Sequence, residues 1–298
     1  MTSIAYEIRL MRKEDIPEVL DLWRESEMDK PAHSLSTWFK VDPGGFYVAV
    51  TDIGDVVGVC SAVLQHKNLA VIGSYCVKRK YRGLGIGRKV WKACNERIGS
   101  RNAAVSAVPG KIELYRDTCG YPIVEKEWVA LLYRTTASLK VNELSDSISE
   151  KYDIRPYTET DLPLMIEYFS VLMGYKLDLA IRLSCKEADS LTCVAIKNDS
   201  CVGFGSVKIS YNGEAHVTPL YADCPLVAEF LLKKLLLSLS QAKGYVIKTV
   251  SSNRAANEIA QRLGWSSPEL IPRLYRKRKL KVDTNKVFAL SVLSFAPF

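Results

Sequence analysis

Apolar residues recur along this chain in two rhythms, and the order of the rhythms occurs twice. Ile8-Arg9-Leu10-Met11 reads as a short strand. Ile16, Val19, Leu20 and Trp23 then fall at helical spacing, giving residues 14–26 one apolar face. Phe46-Tyr47-Val48-Ala49-Val50 is strand-like, Asp52-Ile53-Gly54-Asp55 is a turn, and residues 56–63 form the hairpin partner. A strand over 69–77, a helix over about 87–98 and a strand over 103–108 follow. A short helix over 111–119, stopped by Gly120, and a β segment including 128–133 complete the first half.

Residues 134–152 are polar and weakly periodic, as a linker would be. The plan then restarts. Ile154-Arg155-Pro156-Tyr157 echoes Ile8-Arg9-Leu10-Met11, and Glu159-Thr160-Asp161-Leu162-Pro163 echoes Lys13-Glu14-Asp15-Ile16-Pro17. Strands are expected over 193–196, 202–209, 215–220 and 245–250, with helices over 226–240 and 255–263. One element order, met twice, argues for duplication. The expected division is a first unit over 4–136, a linker over 137–151 and a second unit over 152–298.

Between the 69–77 strand and the next helix lies Arg82-Gly83-Leu84-Gly85-Ile86-Gly87. Glycines let a backbone turn tightly and bring its N–H groups close to a ligand. The helix that follows offers unpaired N–H groups and a positive dipole end, which together suit a pyrophosphate. The spacing lacks the Lys-Ser/Thr of a P-loop. It also lacks the third glycine of a dinucleotide fingerprint, since the final position falls on Arg88 or Val90.

The stretch Val77-Lys78-Arg79-Lys80-Tyr81-Arg82-Gly83-Leu84-Gly85-Ile86-Gly87 resembles motif A of the GNAT N-acetyltransferases, with Arg82-x-x-Gly85-x-Gly87 matching its signature. Leu114-Tyr115-Arg116-Asp117-Thr118-Cys119-Gly120-Tyr121 resembles the second family motif, with Tyr121 in the usual Phe place. The resemblance spans residues 4–133 and implies an α/β fold: two tandem domains, each a mixed, mostly antiparallel sheet flanked by helices. It implies that the sheet splays near the end of the 69–77 strand. Pantetheine of acetyl-CoA would lie against backbone groups at Cys76 and Val77. The pyrophosphate would rest on the amides of Arg82, Gly83, Leu84, Gly85, Ile86, Gly87 and Arg88. Tyr115 would protonate the departing thiolate, an ordinary task for a phenol in hydrogen-bond reach. Many relatives carry a glutamate base on the motif A strand; Val71-Ile72-Gly73-Ser74-Tyr75-Cys76-Val77 has no carboxylate, so no base is assigned.

In the second unit, aligning Gly264-Trp265 with Gly120-Tyr121 puts Ile259 where Tyr115 stands. The loop corresponding to the glycine loop is Tyr221-Ala222-Asp223-Cys224-Pro225, with neither glycine nor arginine. This copy is expected to have lost both acid and pyrophosphate cradle. Lys286-Val287-Phe288-Ala289-Leu290-Ser291-Val292-Leu293 reads as the last strand of its sheet.

Charge sharpens this picture. The formal net charge is +8, and its densest stretch, Lys78-Arg79-Lys80-Tyr81-Arg82 with Arg88-Lys89, flanks the glycine loop. Specific nucleic-acid binding is not expected, because no aromatic or helix-turn-helix motif accompanies the charge. Eight cysteines without a C-x-x-C pair, and three histidines outside any ligand spacing, read as buried thiols and argue against a metal. No apolar run is long enough to span a membrane, and the N-terminus lacks signal-peptide character, so a soluble, cytoplasmic protein is expected. The expected function is acetyl transfer from acetyl-CoA to a small-molecule or peptide amine in a ternary complex. A non-catalytic acyl-CoA-binding or regulatory protein is the alternative; Tyr115 favours the enzyme.

Overall fold

Strands β1 (Tyr6–Leu10), β2 (Phe46–Thr51), β3 (Val56–His66), β4 (Leu69–Val77) and β5 (Asn102–Ser106) lie side by side in chain order. The structure, a computed structural model, describes residues 4–145, 147–239 and 241–298. Residues 1–3, Asp146 of the expected linker and Ser240 at the end of an expected helix lie outside the described residues. Helices α1 (Ile16–Glu25) and α2 (Ser34–Val41) connect β1 to β2, and α3 (Ile86–Ile98) connects β4 to β5. The first four strands pair antiparallel, whereas β4 and β5 run parallel because a helix must carry the chain back. Short strand β6 (Ile123–Val124) and strand β7 (Ala130–Thr135) end the first half.

The second half repeats the plan: β8 (Tyr152–Pro156), α4 (Leu162–Met173), α5 (Asp178–Ser184), β9 (Ser190–Lys197), β10 (Ser200–Ile209), β11 (Glu214–Ala222), α6 (Pro225–Leu237), β12 (Gly244–Val250) and α7 (Arg254–Leu263). It ends with β13 (Glu269–Ile271), β14 (Arg273–Tyr275) and β15 (Val287–Ala289). The duplication reaches individual side chains. Arg9 grips Asp15 with two hydrogen bonds of 2.7 and 2.9 Å, and Arg155 grips Asp161 with two of 2.7 and 3.0 Å. Each aspartate also accepts the N–H three residues before it, fixing the turn into the following helix.

The two halves trade one strand. In the first sheet β5 is followed by β14 from the second half and then by β6; in the second, β12 is followed by β7 from the first half and then by β13. The predicted β segment including 128–133 is therefore strand from Ala130 onward, but it extends the partner sheet, with Tyr133 opposite Ile247. Such a pattern identifies a strand; it does not identify the neighbour. The stretch beyond β15 crosses back. Gln65 Nε2 donates to the Phe295 carbonyl at 2.6 Å, and the fully buried Phe295 ring packs 5.7–6.1 Å from Phe46, Trp38 and Trp23. No helix among the described residues is long and apolar enough to cross a membrane.

This exchange predicts that the first half does not fold alone. A fragment of residues 4–136 would leave the long edges of β5 and β6 without β14 and present β7 unpaired. It should show no cooperative thermal transition by circular dichroism, whereas the intact chain should unfold in one. A fragment melting cooperatively near the intact chain would contradict the exchange.

Candidate active site

The parallel ladder between β4 and β5 is short. It runs from Leu69–Asn102 to Ile72–Val105 and stops. A bulge bends β4 just beyond: Cys60 of β3 faces both Ser74 and Tyr75, and Ser74 takes the left-handed region with φ of 51°. From Gly73 onward the β4 edge that would face β5 is unpaired along that ladder, forming the expected splay.

The glycine loop lies at the end of this edge. Gly83 and Gly85 have φ of 83° and 78°, values that other L-residues adopt only with strain. Gly85 caps α3. Among the described residues, the N–H groups from Gly83 to Arg88 find no protein acceptor, so a row of donors at a helix start faces outward. Gly87 is required for a different reason: a Cβ there would fall 2.2 Å from the Tyr75 hydroxyl. Arg82 Nε donates to the Val77 carbonyl at 2.9 Å, tying loop to strand. Leu84 and Arg88 are exposed and Ile86 is buried under α3. Cys76 and Val77 are buried; the Cys76 thiol packs in the core around Trp23, where burial pushes it up to about 11. Only the backbone of these two residues is available to a ligand in the splay.

Tyr115 sits across the gap from this edge. The 111–119 helix expected from sequence narrows to a π-type turn, Leu114–Thr118. The Tyr115 ring stands 5.4 Å from Trp91, which also touches Tyr75 at 5.4 Å and Tyr121 at 5.8 Å. Burial raises the Tyr115 hydroxyl well above an ordinary phenol, so it remains a proton donor at neutral pH. Asp117 pairs with Arg116 at the surface.

Tyr75 and Tyr115 border a cavity of about 780 Å³ that continues between the two halves. Its far wall includes Lys248 of β12 and Arg134 of β7; Glu214 and His216 of β11 stand at alternate positions on the same face of the second sheet. Against this face lies the α1–α2 segment, held there by the Tyr211 hydroxyl on the Met28 carbonyl at 2.6 Å and by Ala32 N–H on the Ile209 carbonyl at 3.0 Å. Asp29 contacts His216 Nε2 at 2.8 Å and Arg134 at 3.0 Å; Arg134 also pairs with Glu214 at 2.9 Å.

Burial works on Asp29, Glu214 and His216 alike. It pushes the Asp29 carboxyl upward, but hydrogen bonds from His216 and Glu214 outweigh it and hold that carboxyl low. Glu214 is raised by burial and by Asp29, and burial lowers His216 to about 4. Asp29, Glu214 and His216 bring ligand atoms within 4.8 Å of one another, as a metal site would. Here the Arg134 guanidinium occupies the position of the cation and neutralises the carboxylates. Lys30 donates to Ser74 Oγ at 2.9 Å and lies 3.7 Å from the centre of the Trp23 ring. Burial lowers Lys30 to about 7 and Lys248 to about 8. Sequence reasoning missed all six residues. They come from segments spread from Asp29 to Lys248, and the only signal was charge inside strand-like patterns at Glu214, His216 and Lys248.

The second half has the same splay, but its own chain fills it. The β11–β12 ladder stops at Val217–Ile247, and β15 enters the gap, pairing Ala289 with Leu220 and Val287 with Tyr221. Asn253 caps α7 by accepting Ala256 N–H at 3.0 Å, and its amide donates to the carbonyls of Thr284, Asn285 and Val287. Ile259 is buried in the core. Asp223, where phosphate would lie, pairs with Lys286 at 2.9 Å.

Residues 10–121 match the model described as "Acetyltransferase (GNAT) family", and residues 178–289 match that described as "Acetyltransferase (GNAT) domain". No curated protein is a significant match in sequence. Among solved structures, a putative acetyltransferase from Pyrococcus horikoshii is similar over 99% of this chain and 98% of its own, at 17% identity and a TM-score of 0.75. A tandem GNAT protein from the clavulanic acid biosynthesis pathway is similar over 92% of this chain and 99% of its own, at 13% identity and a TM-score of 0.59. Saccharomyces cerevisiae N-myristoyltransferase with bound myristoyl-CoA is similar over 98% and 85%, at 11% identity and a TM-score of 0.64.

The buried cavity lysines make a thermodynamic prediction. Each binds its proton more weakly in the folded chain than in the unfolded one, where a lysine titrates near about 10.4. Wherever the unfolded state holds more protons, stability rises with pH. From about pH 7, where Lys30 titrates when folded, to about 8.5, where thiols begin to ionise when unfolded, stability should therefore increase. Urea titrations across this window should show the rise, and Lys30→Met should flatten it. A wild-type stability that is constant or falls over this window would contradict the assignment.

Proposed function

Because the chain belongs to the GNAT acetyltransferase family and carries two such domains in tandem, we propose that it transfers an acetyl group from acetyl-CoA to an amine at a single active site. The coenzyme lies on the first half, and both halves enclose the acceptor. The observation that carries this reading is the row of free N–H donors from Gly83 to Arg88 at the end of an open strand edge, with Tyr115 across the gap.

On this reading the pyrophosphate rests on those amides, with Lys78, Lys80, Arg88 and Lys89 nearby in sequence adding positive charge. Pantetheine runs along the β4 edge, where backbone groups at Cys76 and Val77 stand in for a missing strand. The thioester then reaches the bulge at Ser74–Tyr75. A neutral acceptor amine, entering from the cavity, attacks the carbonyl carbon; the new C–N bond forms and the C–S bond breaks. The nitrogen gives up its proton to water in the cavity, and the Tyr115 hydroxyl supplies one to the sulfur. Holding both reactants in one enclosed site lowers the entropic cost of meeting. Asp29 and Glu214 are engaged by Arg134 and His216, and Glu27 and Glu269 are exposed, which is why none is assigned as base.

Tyr115→Phe keeps the ring against Trp91 and removes only the hydroxyl. Turnover should fall by roughly 10²–10⁴ with acetyl-CoA binding by calorimetry almost unchanged, the signature of a lost acid. In the same assay Gly85→Asp should abolish binding by placing a strained, negatively charged residue at the pyrophosphate. Native turnover by the Phe variant, with chemistry limiting, would remove Tyr115 from the reaction.

A further inference from the structure

Two lysines, Lys30 and Lys248, line the cavity between the halves; Lys248 feels the charges of Asp29 and Glu214 without touching either. Lys30 is only 7% exposed, and its recorded partners are the Ser74 hydroxyl and the faces of Trp23 and Phe295. Lys248 enters from the opposite wall, close enough for its charge to bear on Lys30. Among the described residues, neither forms an ion pair. The interior acids of this cavity are already committed: Asp29 to His216 and Arg134, and Glu214 to Arg134. The remaining charged lining residues, Arg24, Glu27 and Glu269, are exposed at the rim.

Buried charges are normally paired, because desolvation costs several kcal/mol per ion. Two lysines that line one cavity and form no ion pair of their own, beside an aspartate already engaged by His216 and Arg134, are an anion site waiting for its counter-charge. Its position is informative. Lys30 holds Ser74, the first residue of the bulge, and Tyr75 beside it reaches the aromatic wall that includes Tyr115. A group bound between the lysines therefore sits within one small molecule's length of the acyl end.

We propose that the acceptor is a small amine that also carries an anionic group, a carboxylate or a phosphate, and that Lys30 and Lys248 hold that group while the amine faces Tyr75 and Tyr115. The amine rests on the acyl-transfer reading; the anion site rests on the lysines alone. Binding the anion also drives both lysines fully into their charged form, so the substrate completes a pairing that the empty cavity lacks.

The test is binding of product-like probes to the full chain by calorimetry with CoA present. N-acetylglycine is compared with N-acetylglycinamide, and N-acetylated phosphoethanolamine with N-acetylethanolamine. The anionic member of at least one pair should bind about tenfold or more tightly than its neutral partner, the usual worth of a charge-assisted contact. The pair showing the larger preference distinguishes carboxylate from phosphate. Lys248→Met should erase the preference without lowering the melting temperature, and Lys248→Arg should keep part of it. Equal binding within both pairs, no binding by any probe, or a preference that survives in both Lys30→Met and Lys248→Met would overturn the proposal. Thiol release from acetyl-CoA keeps the two readings apart. Neutral amines acetylated as well as anionic ones would sink the anion site and leave acyl transfer standing. Anion preference in binding, with no thiol release for any amine, would do the opposite.

Discussion

A parallel ladder that ends after four residue pairs leaves a strand edge whose backbone N–H and C=O groups need other partners. Buried main-chain groups are almost always paired, so each splayed sheet must be completed by something. In the first half β4 leaves β5 beyond Ile72, and among the described residues no strand takes the vacant place. In the second half β11 leaves β12 beyond Val217, and β15 takes the vacant place. The same backbone demand thus has two outcomes in one chain: an edge left open in one copy and an edge covered by an extended peptide in the other. Asn253 makes the second solution durable, since one side chain both caps α7 and holds three carbonyls of the incoming segment.

The exchange of β7 and β14 brings residues of both halves to the walls of one cavity. Arg134 travels with β7 into the second sheet, and there neutralises Asp29 from the first half and Glu214 from the second. The segment after β15 supplies Phe295 to the aromatic core of the first half, beside the same Trp23 that Lys30 covers. The cavity is therefore a product of both sheets, and its buried lysines owe their depressed proton affinity to walls from both halves.

Much of this was legible in the sequence where the signal is local. The glycine loop needs Gly85 for a positive φ and Gly87 for close approach of Tyr75, and both requirements leave a pattern within six residues. The Arg9–Asp15 and Arg155–Asp161 pairs likewise lie within one short motif, so the duplication could be read directly. Trp128 to Tyr133 read as β because they form a continuous apolar run; the sheet they join depends on a register with Gly244–Val250 that no local pattern encodes. The Asp29, His216 and Lys248 cluster was invisible for the same reason. A lone histidine in an apolar strand gains meaning only when the fold sets it 2.8 Å from an aspartate 187 positions away.

The central claim is that one splay remains open and the other is closed by β15. Isothermal calorimetry of the intact chain with acetyl-CoA measures it most directly. One coenzyme should bind per chain, and Asn253→Ala, by loosening β15, should leave this number at one because Asp223 and the glycine-free loop still oppose a pyrophosphate. A stoichiometry of two in the native chain would contradict it.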